Sequence, residues 1–237
     1  MTEVREEVLE RISRRIEKVR RAILEACEKC GRSPNEVTLV AVTKTVDLER
    51  IRAAIRSGAR VFGENYVQEA REKISAITEP VEWHFIGHLQ RNKAKYVVRL
   101  FDVVETVDNI KLAAELQKRA EGIKKIQPVL VQVNVSGEKS KAGISPENLP
   151  ELLKFISKNT SLEFRGLMTL PPYFEDPEQA RPYFRRLREL RDQMAERFPS
   201  LTFRDLSMGM SGDFEVAIEE GATIIRVGTA IFGKRPA

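Results

Sequence analysis

The feature that most constrains this chain is a repeated alternation of short β-type runs with helical segments. Strand-like runs cover Val37–Thr45, Arg60–Gly63, Glu82–Gly87, Val103–Val107, Val129–Val135, Phe164–Leu170, Phe203–Met208 and Thr223–Val227. Helical patterns lie between them: one with Leu48, Ile51, Ala54 and Ile55 on its inner face, then Tyr66–Ile77, Ala94–Leu100, Ile110–Glu121, Glu147–Lys158, Pro177–Phe198 and Phe214–Glu220. Strict β–α alternation implies parallel strands joined by right-handed crossovers. The first run, Val37-Thr38-Leu39-Val40-Ala41-Val42-Thr43-Lys44, is β-branched and almost continuously apolar, the signature of a strand buried on both faces. Eight such units favour a closed (β/α)8 TIM-type barrel over an open doubly wound sheet. The expectation is one barrel domain over residues 1–237 with no C-terminal β-domain, because the chain ends at Ala237, soon after the last strand.

Two further features sit on that frame. The eighth helix is missing: after the last strand only the run Ala230-Ile231-Phe232 remains before the chain end. In compensation there is a spare N-terminal helix, with Val4, Val8, Ile12, Ile16, Val19, Ile23 and Cys27 at steps of three and four, stopped by Gly31 and Pro34. The segment 1–31 is expected to cover barrel wall.

Composition excludes several classes. The chain of 237 residues is 42% hydrophobic and 32% charged, and no run of 18 apolar residues marks a membrane span. Met1–Glu7 is acidic and lacks a secretory apolar stretch, and two cysteines make no disulfide framework, so a cytoplasmic setting is expected. Cys27-Glu28-Lys29-Cys30 spells C-x-x-C without a second cluster and lies at a helix end, where small residues suffice and a metal is not expected. The net charge is +5, but basic and acidic residues interleave even in the dense stretch Arg181–Arg197, which suits a solvated helix face and not a nucleic-acid track.

In a barrel of this kind the functional groups lie at the C-terminal strand ends. There the sequence supplies Lys44, Gly63-Glu64-Asn65, His84 with Gly87-His88, Asn134-Val135-Ser136, Met168-Thr169, Ser207 through Ser211-Gly212, and Arg226 with Gly228-Thr229. An amine at the end of a buried strand is costly to keep charged, and a neutral lysine amine forms Schiff bases; the plain alternative is a strand-end lysine reaching solvent. Ser211-Gly212 ahead of a helix and Gly228-Thr229 after the last strand form the kind of backbone cradle that takes a phosphate, although each glycine alone can be a turn. A lysine and a phosphate site on one rim point to a phosphate-bearing aldehyde, pyridoxal 5′-phosphate (PLP). Arg226 inside the rim would then face the pyridine nitrogen and keep it unprotonated, or else pair with a carboxylate such as Glu64 or Asp205. His84 either lines the pocket or is a satisfied core histidine; His88 belongs to the rim surface, and with no nearby carboxylate pair the two do not form a metal site.

The motifs are longer than that inventory. A-V-T-K ending at Lys44, G-E-N-Y-V-Q-E at Gly63–Glu69, W-H-F-I-G-H-L-Q at Trp83–Gln90, G-L-M-T at Gly166–Thr169, L-S-M-G-M-S at Leu206–Ser211 and R-V-G-T-A-I-F-G at Arg226–Gly233 occur in order along the chain. In these the chain resembles the pyridoxal phosphate homeostasis proteins of the YggS/PROSC type. The resemblance implies a fold-type III barrel like the N-terminal domain of alanine racemase, a Schiff base on Lys44, phosphate contacts from Ser211, Gly228 and Thr229, and Arg226 beside the ring. It also implies a monomer that carries or buffers PLP, influences vitamin B6 pools, serves PLP-dependent apo-enzymes, and has no established catalysis. Asn65, His84, Met168, Ser207 and Gly212 complete the expected cofactor contacts. The alternatives are a weak racemase-like PLP enzyme, for which Tyr66 is the nearest candidate second acid/base, and a Schiff-base aldolase or phosphosugar isomerase.

Overall fold

The structure is a computed structural model that describes residues 4–138 and 141–234. Met1–Glu3 and Ala237, on which the N-terminal reading and the chain end depend, lie outside the described residues.

Eight strands close into a barrel in sequence order, β1 Thr38–Val42, β2 Val61–Glu64, β3 Glu82–Phe85, β4 Val103–Val107, β5 Gln127–Gln132, β6 Leu162–Met168, β7 Asp205–Met210 and β8 Ile224–Val227. Every neighbouring pair is parallel, and β1 pairs with β8 to close the ring. The fold is therefore the (β/α)8 barrel that the alternation predicts.

Nine helices accompany it: α1 Glu6–Cys30, α2 Leu48–Arg56, α3 Val67–Ala76, α4 Ala94–Leu100, α5 Ile110–Glu121, α6 Leu149–Ile156, α7 Arg181–Arg197, α8 Phe214–Glu219 and α9 Thr229–Phe232, counted among the described residues. The eighth unit thus does end in a helix, but one of a single turn. α1 lies against α2, α8 and α9, which leaves it covering the wall next to that short element. Its stripe Val8, Ile12, Ile16, Val19, Ile23 and Cys27 is buried, and Gly31 ends it in the left-handed conformation at φ 67°.

Strand periodicity sorts the apolar residues into two cores. Val40, Val103, Leu130, Met168 and Ile224 form a small cluster inside the barrel. Their chain neighbours Ala41, Val104, Val131, Leu167 and Ile225 belong to a much larger cluster shared with the helices. Alternate residues face opposite sides of a strand, so a sheet with both faces covered must be apolar on both.

Several boundaries differ from the sequence pattern. β1 stops at Val42, so Thr43, Lys44 and Thr45 lie in a turn and not in the strand. β5 begins at Gln127 and ends at Gln132, while β7 runs on to Met210. In β7 the register to β8 shifts between Ser207 and Met210, where Gly209 takes φ 93°. A Cβ there would come within 2.6 Å of the Ala217 Cβ, so this bulge needs glycine, and it re-aims the chain just before Ser211.

Candidate functional site

A cavity of about 380 Å³ opens at the C-terminal rim of the barrel. Lys44, Asn65, Ser211, Gly212, Arg226, Gly228 and Thr229 all line it. The remaining three expected contacts do not. Met168 is packed in the interior apolar cluster, and His84 and Ser207 belong to a polar chain deeper in the barrel. A larger cavity of about 680 Å³ lies next door, sharing only Asn65 with the first and lined by Tyr66, Arg71, His88, Lys93 and Tyr96 among others. It contains neither Lys44 nor Arg226, so size does not locate the lysine chemistry. His88 is exposed there, and Tyr66, expected nearest to Lys44, also faces that neighbour.

Two wall residues that pattern reading missed are Tyr173 and Phe174. They lie between β6 and α7, where no periodicity marks a side chain's direction. Phe174 stacks on Tyr183 of α7 with ring centroids 5.8 Å apart, and Tyr173, 85% exposed, stands at the mouth.

The phosphate-type end is built from hydroxyl and backbone. Ser211 Oγ accepts the N–H groups of Gly228 at 3.1 Å and Ala230 at 3.3 Å. A Cβ on Gly212 would meet nothing within 4 Å, so the chain there is open to close approach. The helices behind this end, α8 and α9, have six and four residues, so little macrodipole stands behind it. Asp213 lines the same end; its carboxylate accepts the Met210 N–H at 2.6 Å, and burial raises its pKa against that hydrogen bond and the pull of Arg226.

Arg226 is fully enclosed by a buried chain. Its Nη1 donates to Ser207 Oγ, and its Nη2 donates to the Thr169 carbonyl at 2.9 Å. Ser207 Oγ in turn donates to Glu105 Oε2 at 2.5 Å, and Arg226 lies 3.9 Å from that oxygen. Glu105 Oε1 is 2.6 Å from His84 Nδ1, while His84 Nε2 is 3.1 Å from Glu82 Oε1. The carboxylate of Arg226 is therefore Glu105. Glu64 and Asp205, its candidates from sequence, pair with Lys73 and Arg204 instead. His84 sits between the carboxylates of Glu105 and Glu82, and no group of three or more His, Cys, Asp or Glu side chains placed to hold a metal occurs among the described residues.

The charges follow from these contacts. Burial pulls the His84 pKa down, but hydrogen bonds to Glu105 and Glu82 outweigh it and raise it to about 9. Burial pushes Glu105 up, and the His84 hydrogen bond with the charges of His84 and Arg226 brings it below the usual range. Burial draws the Arg226 guanidinium down while Glu105 and Asp213 oppose that, and an arginine keeps its proton at neutral pH.

This site stands on a known kind of chain. Residues 15–236 match the family described as Alanine racemase, N-terminal domain. A Pyridoxal phosphate homeostasis protein of Aquifex aeolicus is 48% identical over 227 residues, covering 95% of this chain and 97% of that protein. Its namesake in Escherichia coli K12 is 42% identical over 233 residues, covering 94% and 97%. The structure of PipY from Synechococcus elongatus with PLP bound superposes with a TM-score of 0.84 at 34% identity, covering 94% of this chain and all of that one. The barrel of a D-threonine aldolase from Filomicrobium marinum shares the fold at 17% identity and a TM-score of 0.74. The chain belongs to the pyridoxal phosphate homeostasis protein family.

No helix among the described residues is long and apolar enough to cross a membrane.

Proposed function

We propose that this chain is a PLP-binding protein of intracellular PLP and vitamin B6 homeostasis, that residues 1–237 form one PLP-binding domain, and that the cofactor is held as a Schiff base on Lys44. The observation that carries this is the convergence of Lys44, Arg226 and the Ser211–Gly212 and Gly228–Thr229 segments on one small cavity.

The residues present fit the cofactor. Ser211 Oγ ties down the Gly228 and Ala230 N–H groups and so orders the loop after β8, and the open face of Gly212 gives a phosphate room. A buried guanidinium with no proton to give up suits an unprotonated pyridine nitrogen. When bound, PLP supplies a reactive aldehyde and an electron-withdrawing ring, and Arg226 weakens the second of these by leaving the nitrogen neutral. Lys44, whose side chain lines the cavity, would hold the aldehyde end of the cofactor through its amine. Asn65, Leu170 and Phe174 line the rest of the cavity wall and would shield a bound ring.

The role is carriage of the cofactor to PLP-dependent apo-enzymes, by a cytoplasmic monomer, without a reaction of its own. A weak racemase-like activity is the second reading, and it is favoured by one observation, that Tyr173 and Asp213 line the Lys44 cavity. The two separate in deuterated water: a racemase exchanges the α-hydrogen of an amino acid faster than free PLP does, and a carrier does not.

The test of the site is borohydride reduction of the PLP-loaded protein. The reduced label is expected on the peptide containing Lys44, and Lys44→Ala is expected to lose the imine absorbance. A label on another lysine, or an unchanged spectrum in Lys44→Ala, overturns the assignment.

A further inference from the structure

A second lysine stands behind the first. Lys73 of α3 is 6% exposed, and its ammonium donates to three oxygens: the Thr43 carbonyl at 2.5 Å, Glu64 Oε1 at 2.7 Å and Glu69 Oε1 at 2.6 Å. Three donors and three acceptors leave it complete. Glu69 Oε1 also accepts the main-chain N–H of Thr45 at 2.5 Å, and Thr43 Oγ1 donates to Glu64 Oε1 at 2.6 Å. Thr43 and Glu64 are fully buried.

These bonds converge on the peptide groups either side of Lys44. The Thr43 carbonyl is fixed by Lys73 and by the Val46 N–H at 2.9 Å, and the Thr45 N–H is fixed by Glu69. The turn they hold is a costly one. Thr45 has φ 62°, left-handed for a β-branched residue, a conformation that persists only when its surroundings impose it. The bend is what turns the chain out of β1, so that Lys44 lines the cavity and does not continue along the barrel wall.

We propose that Lys73, with Glu64 and Glu69, is a positioning residue: it clamps the main chain on both sides of Lys44 in the strained turn that presents the Lys44 amine to an aldehyde. The inference rests on Lys44 being the Schiff-base lysine. The same contacts keep Lys73 itself from acting as the nucleophile. A nucleophilic amine needs a free lone pair, and one on Lys73 would point at three acceptor oxygens. The clamp also draws on side chains remote from the phosphate cradle, since Glu64, Glu69 and Lys73 do not line the cavity. Its loss should therefore affect the covalent step and leave non-covalent recognition alone.

The experiment compares two ligands on full-length protein. PLP reads imine formation by absorbance; pyridoxine 5′-phosphate, which has no aldehyde, reads the cradle by calorimetry. Lys73→Met removes the ammonium, and Glu69→Ala removes the acceptor of the Thr45 N–H on a half-buried side chain, in case the first variant does not fold. Both are expected to slow imine formation by about 10-fold or more, with pyridoxine phosphate affinity within about twofold of the unaltered protein. Thr45→Gly, which takes φ 62° freely, is expected to slow it less while the imine still forms. Unchanged imine kinetics in folded Glu69→Ala and Lys73→Met overturn the clamp, as does a parallel loss of pyridoxine phosphate binding, which marks a general structural role. Peptide mapping of the reduced, unaltered protein is independent of these variants: a label away from Lys44 defeats the site assignment itself, whereas a label on Lys44 with unchanged variants defeats only the clamp.

Discussion

Two glutamates at the heart of this barrel, Glu64 and Glu105, are both fully buried, yet their carboxyl groups are driven in opposite directions. Glu64 is raised because burial outweighs its bonds to Lys73 and Thr43. Glu105 is lowered because His84, Arg226 and Ser207 outweigh the same burial. Exposure cannot explain the difference; contacts can. Both oxygens of Glu105 have partners, and two cations face it. Glu64 shares one ammonium with Glu69, and its Oε2 has no hydrogen-bond partner. Burial raises both carboxyls, and the number of hydrogen-bond and charge partners decides the direction of the net shift. The two networks also act on different parts of their targets. The Glu105 chain grips the side chain of Arg226, whereas the Glu64 network grips the main chain around Lys44.

The largest expected effect separates the two directly. Glu105→Gln takes away the carboxylate between His84 and Arg226 and leaves His84 with Glu82, and removal of one partner from such a buried group costs about 3–5 kcal/mol. Glu64→Gln keeps an acceptor for Lys73 and Thr43 and removes a charge that burial already disfavours, a cost of about 1–2 kcal/mol. Denaturant unfolding at pH 7 checks the order. Equal losses would mean that burial alone, and not the number of partners, governs these sites.

The next effect is a pH dependence confined to one of the networks. His84 titrates at about 9 in the folded chain, against an unfolded value near 6.5. A raised histidine stabilises fully below pH 6.5, and that stability is lost as the pH rises through 9. The whole contribution is about 3 kcal/mol. The groups facing it are Glu82 and Glu105, with Arg165 at 4.0 Å from Glu82 and Ser207 and Arg226 beyond Glu105. His84→Gln is expected to flatten the slope of stability between pH 6.5 and 9, and Glu64→Gln to leave it intact. A slope that survives His84→Gln places the titration elsewhere.

How much of this was legible in the sequence depends on what kind of order produced it. The barrel was legible because strand and helix periodicities are set locally, and seven of the ten expected contacts meet because strand ends share a rim. Depth was not legible. His84 and Ser207 face inward as alternation requires, but they lie below the cavity because the register between strands is not encoded in either strand alone. Glu105 had a signal that went unused: a carboxylate within Val103-Val104-Glu105-Thr106-Val107 has to be buried, so it needs a cation. The turn at Lys44 had none, since the apolar run continues through Thr43 and Thr45 carries no turn signature.

The smallest expected effect is on the surface, where a large shift means little. Glu49 is lowered to about 2 because Arg5 donates its side chain and main-chain N–H to it, with Nε at 2.9 Å and N at 3.0 Å. A lowered carboxyl stabilises above its unfolded value, and that stability is lost as the pH falls through about 2. Arg5, however, is 68% exposed, so water and salt screen the pair, and ordering a long side chain opposes what is left. Glu49→Gln is therefore expected to leave the unfolding midpoint where it was at neutral pH and moderate salt, although its shift is among the largest in the chain. If it costs as much as Glu64→Gln, solvent screening has been overstated, and the contrast between the buried glutamates would have to rest on hydrogen-bond count alone.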